Sequence, residues 1–151
     1  MIAVDTNILV YAHRLDSEFH APAAEIVRTL AESFHEWAIA WPSVHEFFAI
    51  VTHPRIYRPP TPMARALAQI EAWLASPSLV LLGETHKHWE SLRAMIVDAR
   101  IEGAKVHDAR IAALCVQHGV RELLSADRDF SRFPKIAVRN PLIKPADRGP
   151  A

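Results

Sequence analysis

Cysteine is nearly missing from this chain of 151 residues: Cys115 stands alone. One thiol cannot form an internal disulfide or a thiolate metal site, and a reducing cytoplasm fits that composition. An excess of charge is missing too. Lys+Arg and Asp+Glu number 17 each, so the formal net charge is zero. A bulk electrostatic grip on nucleic acid or an anionic membrane is thereby excluded, although a local basic rim is not. No apolar run reaches transmembrane length, so no membrane association is expected. The N-terminal residues lack the basic and apolar regions of a signal peptide. The nine histidines are scattered and include no H-E-x-x-H pair. There is no internal repeat and no linker between domains.

What is present is a core. Half of the residues are hydrophobic, enough for a single domain of this length to fold without staples. The first eight residues carry the clearest signal. Ile2-Ala3-Val4 reads as a short buried strand, uninterrupted by polar residues. Asp5 ends it, and Thr6 or Asn7 can cap a helix starting near Ile8. A carboxylate is thus expected at the carboxyl end of a strand, the edge where open α/β sheets bind ligands.

The remaining pattern alternates helix and strand. Pro22 suits the first turn of a helix whose stripe is Ala23, Ile26, Val27 and Leu30. Trp37 to Ala40 reads as a second strand. Ser43-Val44-His45-Glu46 matches the capping box S-x-x-E, which places Glu46 in the first turn of the next helix. Residues 53–60 form a proline-rich basic loop in which Arg55 and Arg58 can meet phosphate. Thr61-Pro62 opens a helix with Leu67, Ile70 and Leu74 inward. Leu79 to Leu82 is a third strand. Thr85 is expected to cap a helix with Trp89, Leu92 and Ile96 on one face. Lys105 to Arg110 begins another. Asp108 lies three, four and seven residues before Ile111, Ala112 and Cys115, on the face that packs against the sheet. A carboxylate there needs a partner or a metal, whereas Cys115 reads as a small core residue. His107 reads as a polar residue of the opening turn. Leu123-Leu124 is a fourth strand, followed by Ser125-Ala126-Asp127-Arg128-Asp129-Phe130. Ile136 to Val138 is the last. The domain is expected over residues 1–143, with 144–151 a mobile tail.

This order predicts an α/β fold, a three-layer α/β/α sandwich with a short, mostly parallel sheet. In it Asp5, Glu46, Asp108 and Asp127 converge on the edge formed by the strand carboxyl ends. Four like charges so close require a cation. Hard divalent ions such as Mg²⁺ or Mn²⁺ take oxygen ligands, and the matching chemistry is attack of water on a phosphodiester. Asp127, nearer the strand end, is expected to face Asp5 and Asp108. The loop then curls, so that Asp129 caps a turn or pairs with an arginine.

Val4-Asp5-Thr6-Asn7, Ser43-Val44-His45-Glu46-Phe47, His107-Asp108-Ala109-Arg110-Ile111-Ala112-Ala113 and Ser125-Ala126-Asp127-Arg128-Asp129-Phe130 resemble the motifs of PIN-domain ribonucleases. The likeness is to VapC-type toxins of bacterial toxin–antitoxin pairs, the mycobacterial-type subfamily, and runs from about Met1 to Leu142. The resemblance implies a homodimer, Mg²⁺- or Mn²⁺-dependent RNA cleavage and inhibition by a cognate VapB antitoxin. It implies Asp5 and Asp108 as metal ligands, with Glu46 and Asp127 completing the cluster. Thr6 and Ser125 correspond to hydroxyl residues that orient the first acid and the water. An acidic pocket of this kind also suits an inserted Arg or Lys from the antitoxin. Three other readings compete: a housekeeping PIN nuclease of RNA processing, a Mg²⁺-binding phosphoacceptor regulatory domain, and a binding module without catalysis. A phosphoacceptor would need a lysine where Ser125-Ala126-Asp127 supplies another acid.

Overall fold

Ile2–Val4 (β1), Trp37–Ala40 (β2), Leu79–Leu82 (β3), Glu122–Leu124 (β4) and Val138–Arg139 (β5) build one sheet in the order β3-β2-β1-β4-β5. Every neighbouring pair is parallel. The structure is a computed structural model and describes residues 1–143. Residues 144–151, expected as a mobile tail, lie outside the described residues.

Helices Thr6–His13 (α1), His20–Glu32 (α2), Trp41–Val51 (α3), Met63–Leu74 (α4), His88–Ala99 (α5) and Val106–Gln117 (α6) fill the crossovers. Side chains alternate across the sheet, so each strand feeds two cores. Val4, Trp37, Ile39 and Leu124 pack with Ile8, Leu9, Val27, Phe47 and Trp73 of α1 to α4. Ala3, Ala38, Ala40, Leu82 and Leu123 pack with Met95 of α5 and with Ala109, Ala112, Ala113 and Cys115 of α6. Alanine meets alanine across that second layer. The small side chains let α6 lie close on the sheet, which brings its first turn to the sheet edge. None of the described helices is long and apolar enough to cross a membrane.

Several local expectations are corrected. α1 is capped by Asp5, whose carboxylate accepts the Thr6 N–H at 2.8 Å, and not by Thr6 or Asn7. α3 begins at Trp41 directly after β2, with Pro42 in its first turn, so Ser43 lies inside the helix and caps nothing. Its hydroxyl is buried without a hydrogen-bond partner. Thr61 precedes α4 but turns away from it, accepting from Arg14 and meeting His13 Nε2, each at 3.2 Å. Thr85 accepts the Lys87 N–H in the turn before α5, which starts at His88. Trp89 is 65% exposed, so it does not share the inward face of Leu92 and Ile96. β5 falls two residues later than expected, because Ile136 is drawn into the core beside Phe133.

Candidate active site

Asp5 sits where β1 ends, held there from both sides. Its backbone N–H continues the ladder to the Leu124 carbonyl of β4 at 3.0 Å. Its Oδ2 accepts from Ser125 Oγ at 2.6 Å and from Asn7 Nδ2 at 3.0 Å. Ser125 Oγ in turn accepts the Asp127 N–H at 3.0 Å. Asn7 Oδ1 accepts the Ala126 N–H at 3.1 Å. Asn7 thus ties the exit of β1 to the exit of β4, a role that no sequence pattern announced. Its nearest signal is its place in Asp-Thr-Asn.

Asp5 is only 4% exposed. That burial pushes its carboxyl from 3.8 up to about 6. The charges of Glu46 and Asp108 push the same way, against the hydrogen bonds from Ser125 and Thr6. A group so placed keeps its proton up to about pH 6 unless a cation compensates. Glu46 lies in the second turn of α3, and its Oε2 accepts the Thr6 hydroxyl at 2.7 Å. It lies a turn deeper than a capping box at Ser43 would put it, yet its side chain reaches the same edge.

Asp108 lies in the first turn of α6. Burial raises its pKa, and the charge of Asp127 adds to the rise while Lys105 opposes it. Asp108, Asp127 and Asp129 each offer an oxygen within 4.8 Å of the others. Two oxygens bound to one Mg²⁺ at about 2.1 Å can be at most about 4.2 Å apart, so small adjustments would close this group on an ion. The donors are all hard oxygens, as such an ion requires. The acids therefore fit a divalent cation, with Asp5 and Glu46 flanking.

The loop after β4 departs from expectation. Asp127 is the residue that caps the turn Arg128–Arg132, accepting the Asp129 N–H at 2.8 Å. Asp129 does not cap it. Its partner is a lysine, Lys105, and not an arginine. Nor does it curl away, because it stays within the carboxylate group. A cleft of about 480 Å³ opens beside this loop, lined by Asp127, Arg128, Ser131 and Asn140 among others. Cys115, beneath the site, is fully buried, and its thiol is pushed up to about 12 by that burial and by the charge of Asp5. It is a core residue without thiolate chemistry.

A parallel sheet with acids from four chain segments gathered at its carboxyl edge defines a class, and the comparison with known proteins names it. The PIN domain profile matches residues 2–136, and the chain belongs to the PIN-domain family. Within it, Ribonuclease VapC43 of Mycobacterium tuberculosis is 33% identical over 142 residues, covering 94% of this chain and 96% of the relative. Ribonuclease VapC37 of the same organism is 32% identical over 141 residues, 93% of this chain and 97% of the relative. Among solved structures, the sarcin-ricin loop cleaving toxin VapC20 of Mycobacterium tuberculosis aligns with a TM-score of 0.67 at 19% identity. It covers 92% of this chain and 99% of that one. VapBC2 from Rickettsia felis, bound to a DNA fragment from their promoter, gives 0.66 at 17% identity, covering 92% and 98%. At such identities these structures bear on the fold alone.

Proposed function

We propose that this chain is a metal-dependent endoribonuclease, the toxin of a VapBC-type pair. The observation that carries the reading is the convergence of Asp5, Glu46, Asp108 and Asp127 on one edge, in a chain 33% identical to a VapC ribonuclease. Asp5 and Asp108, with Glu46 and Asp127, would hold Mg²⁺ or Mn²⁺. When bound, such an ion supplies the Lewis acidity that yields a water nucleophile at neutral pH.

The protein's own groups do the rest. Ser125 and Asn7 fix Asp5 Oδ2, so that carboxylate is in place before substrate arrives. Thr6 fixes Glu46 in the same sense. Asp127, anchored through its N–H to Ser125, orients the attacking water and takes its proton. The phosphodiester lies across the open edge between α3 and the β4 loop. A basic segment of a cognate antitoxin would inhibit by pairing with these carboxylates. A homodimer in the cytoplasm fits the same reading.

The test is direct. Purified protein should cut RNA with Mg²⁺ or Mn²⁺ and stop when EDTA is added. Asp5→Asn and Asp108→Asn should each abolish cutting while the chain stays folded by circular dichroism. Expression alone should arrest bacterial growth, and co-expression of the adjacent antitoxin gene should restore it. Full cleavage by either folded variant would sink the site assignment. Unchanged growth with active protein would remove the toxin role and leave the nuclease.

A further inference from the structure

Lys105 closes the short 3-10 turn Gly103–Lys105 that leads into α6, three residues before Asp108. Its ammonium pairs with Asp129 and lies 3.9 Å from Asp108 Oδ2. Both acids belong to the three-carboxylate group. Among the described residues, Lys105 is the one cation that pairs with this group. Arg110, further along the helix, is turned to Glu84 at 3.2 Å. A lysine at a helix N-terminus sits at the wrong end of the macrodipole. The carboxylates, not the helix, therefore hold Lys105 where it is. Its side chain is 41% exposed, so it can swing into solvent without opening the core.

We propose that Lys105 is a tethered competitor for the divalent cation: it neutralises Asp108 and Asp129 in the ion-free site and gives up Asp108 when the ion takes that carboxylate. The inference rests on the metal reading given above. Lys105 then sets how much free metal the site requires. It also spares the ion-free protein the repulsion of three adjacent acids. Once displaced, its ammonium stands at the rim of the site, available as a point charge to a phosphate of the bound strand.

The experiment needs no RNA. Mn²⁺ binding to the full chain is measured by calorimetry for the wild type, Lys105→Met, Lys105→Arg and Asp108→Asn. Thermal melts are recorded with and without Mn²⁺. Lys105→Met should bind Mn²⁺ roughly twofold to fivefold more tightly, the scale of a partly exposed ion pair removed as competitor. Its ion-free form should melt lower, and its rise in Tm on adding Mn²⁺ should be larger. Lys105→Arg keeps the charge and should bind much as the wild type does. Asp108→Asn should bind more weakly than either. Equal or weaker Mn²⁺ binding by Lys105→Met would overturn the role of the lysine while the metal site stands. Equal tightening in Lys105→Arg would also overturn it, because shape and not charge would then be responsible. No Mn²⁺ binding by wild type or Lys105→Met would overturn the metal reading as well.

Discussion

Thr6 donates its hydroxyl hydrogen to Glu46 Oε2 at 2.7 Å, across forty residues of chain. The first residue of α1 thereby aims a carboxylate carried by α3. Thr6→Val keeps the shape and removes the donor. It should cost about 1–3 kcal/mol of stability in urea denaturation, since Glu46 loses a charge-assisted partner. RNA cleavage should fall about tenfold or more. Thr6→Ser should restore both. If Thr6→Val cleaves normally, Glu46 needs no aiming.

Asp5 couples folding to pH. Between about pH 4 and 6 the ion-free folded chain keeps a proton that the unfolded chain has released, because burial raises the carboxyl from 3.8 to about 6. Raising the pH through that window therefore destabilises the protein, by at most about 3 kcal/mol from this group. Asp5→Asn has no such proton to lose. In EDTA, the Tm of the wild type minus that of Asp5→Asn should fall as pH rises from 4 to 6.5 and level off above 7. A flat difference would place Asp5 in a wetter setting than its burial implies.

Ser125 bears on the same carboxylate from β4. Its 2.6 Å hydrogen bond holds the Asp5 pKa down against burial. Ser125→Ala should shift the acid limb of the cleavage–pH profile to higher pH. The activity deficit should thus be largest below pH 7 and shrink toward pH 8. A deficit independent of pH would mean that Ser125 acts only through its contact with the Asp127 N–H.

Asp127 and Asp129 are separable at saturating Mn²⁺. Asp127→Asn should lose on the order of a hundredfold in cleavage while Tm is kept or raised, since asparagine still caps the turn and a like-charge contact is relieved. Asp129→Asn breaks the pair with Lys105, which is partly exposed on both sides. It should lose no more than about 1 kcal/mol of stability and retain most of its cleavage. The reverse pattern would make Asp129 the fourth acid.

The sheet and its acidic edge were legible because Asp5 and Asp127 stand beside the strand ends that position them. Asp108 announced itself as an acid on an apolar helical face. The errors arose where a local pattern had a tertiary rival. Ser43-Val44-His45-Glu46 spells a capping box, but Pro42 suits a first turn and the helix starts straight from β2. Trp89 obeys the helical period, yet Leu92 and Ile96 already cover that side of the core. Phe130, Phe133 and Ile136 occupy core positions from a loop, which delays β5. Asn7 and Lys105 carry no local signal, because their partners, Ser125 and Asp129, lie 118 and 24 residues away in sequence.

The strand order has a consequence for synthesis. β1 is the middle strand, and its neighbour β4 is made more than a hundred residues later. At about 5–20 residues per second, a ribosome needs roughly 6 to 25 s to travel from Asp5 to Asp127. Through that interval the emerging chain carries Asp5 and then Glu46 without the serine and acids that complete the edge. On the site proposed above, cleavage would be withheld until translation has passed Asp127. A nuclease assembled in this order stays silent toward the message and the ribosome that are producing it.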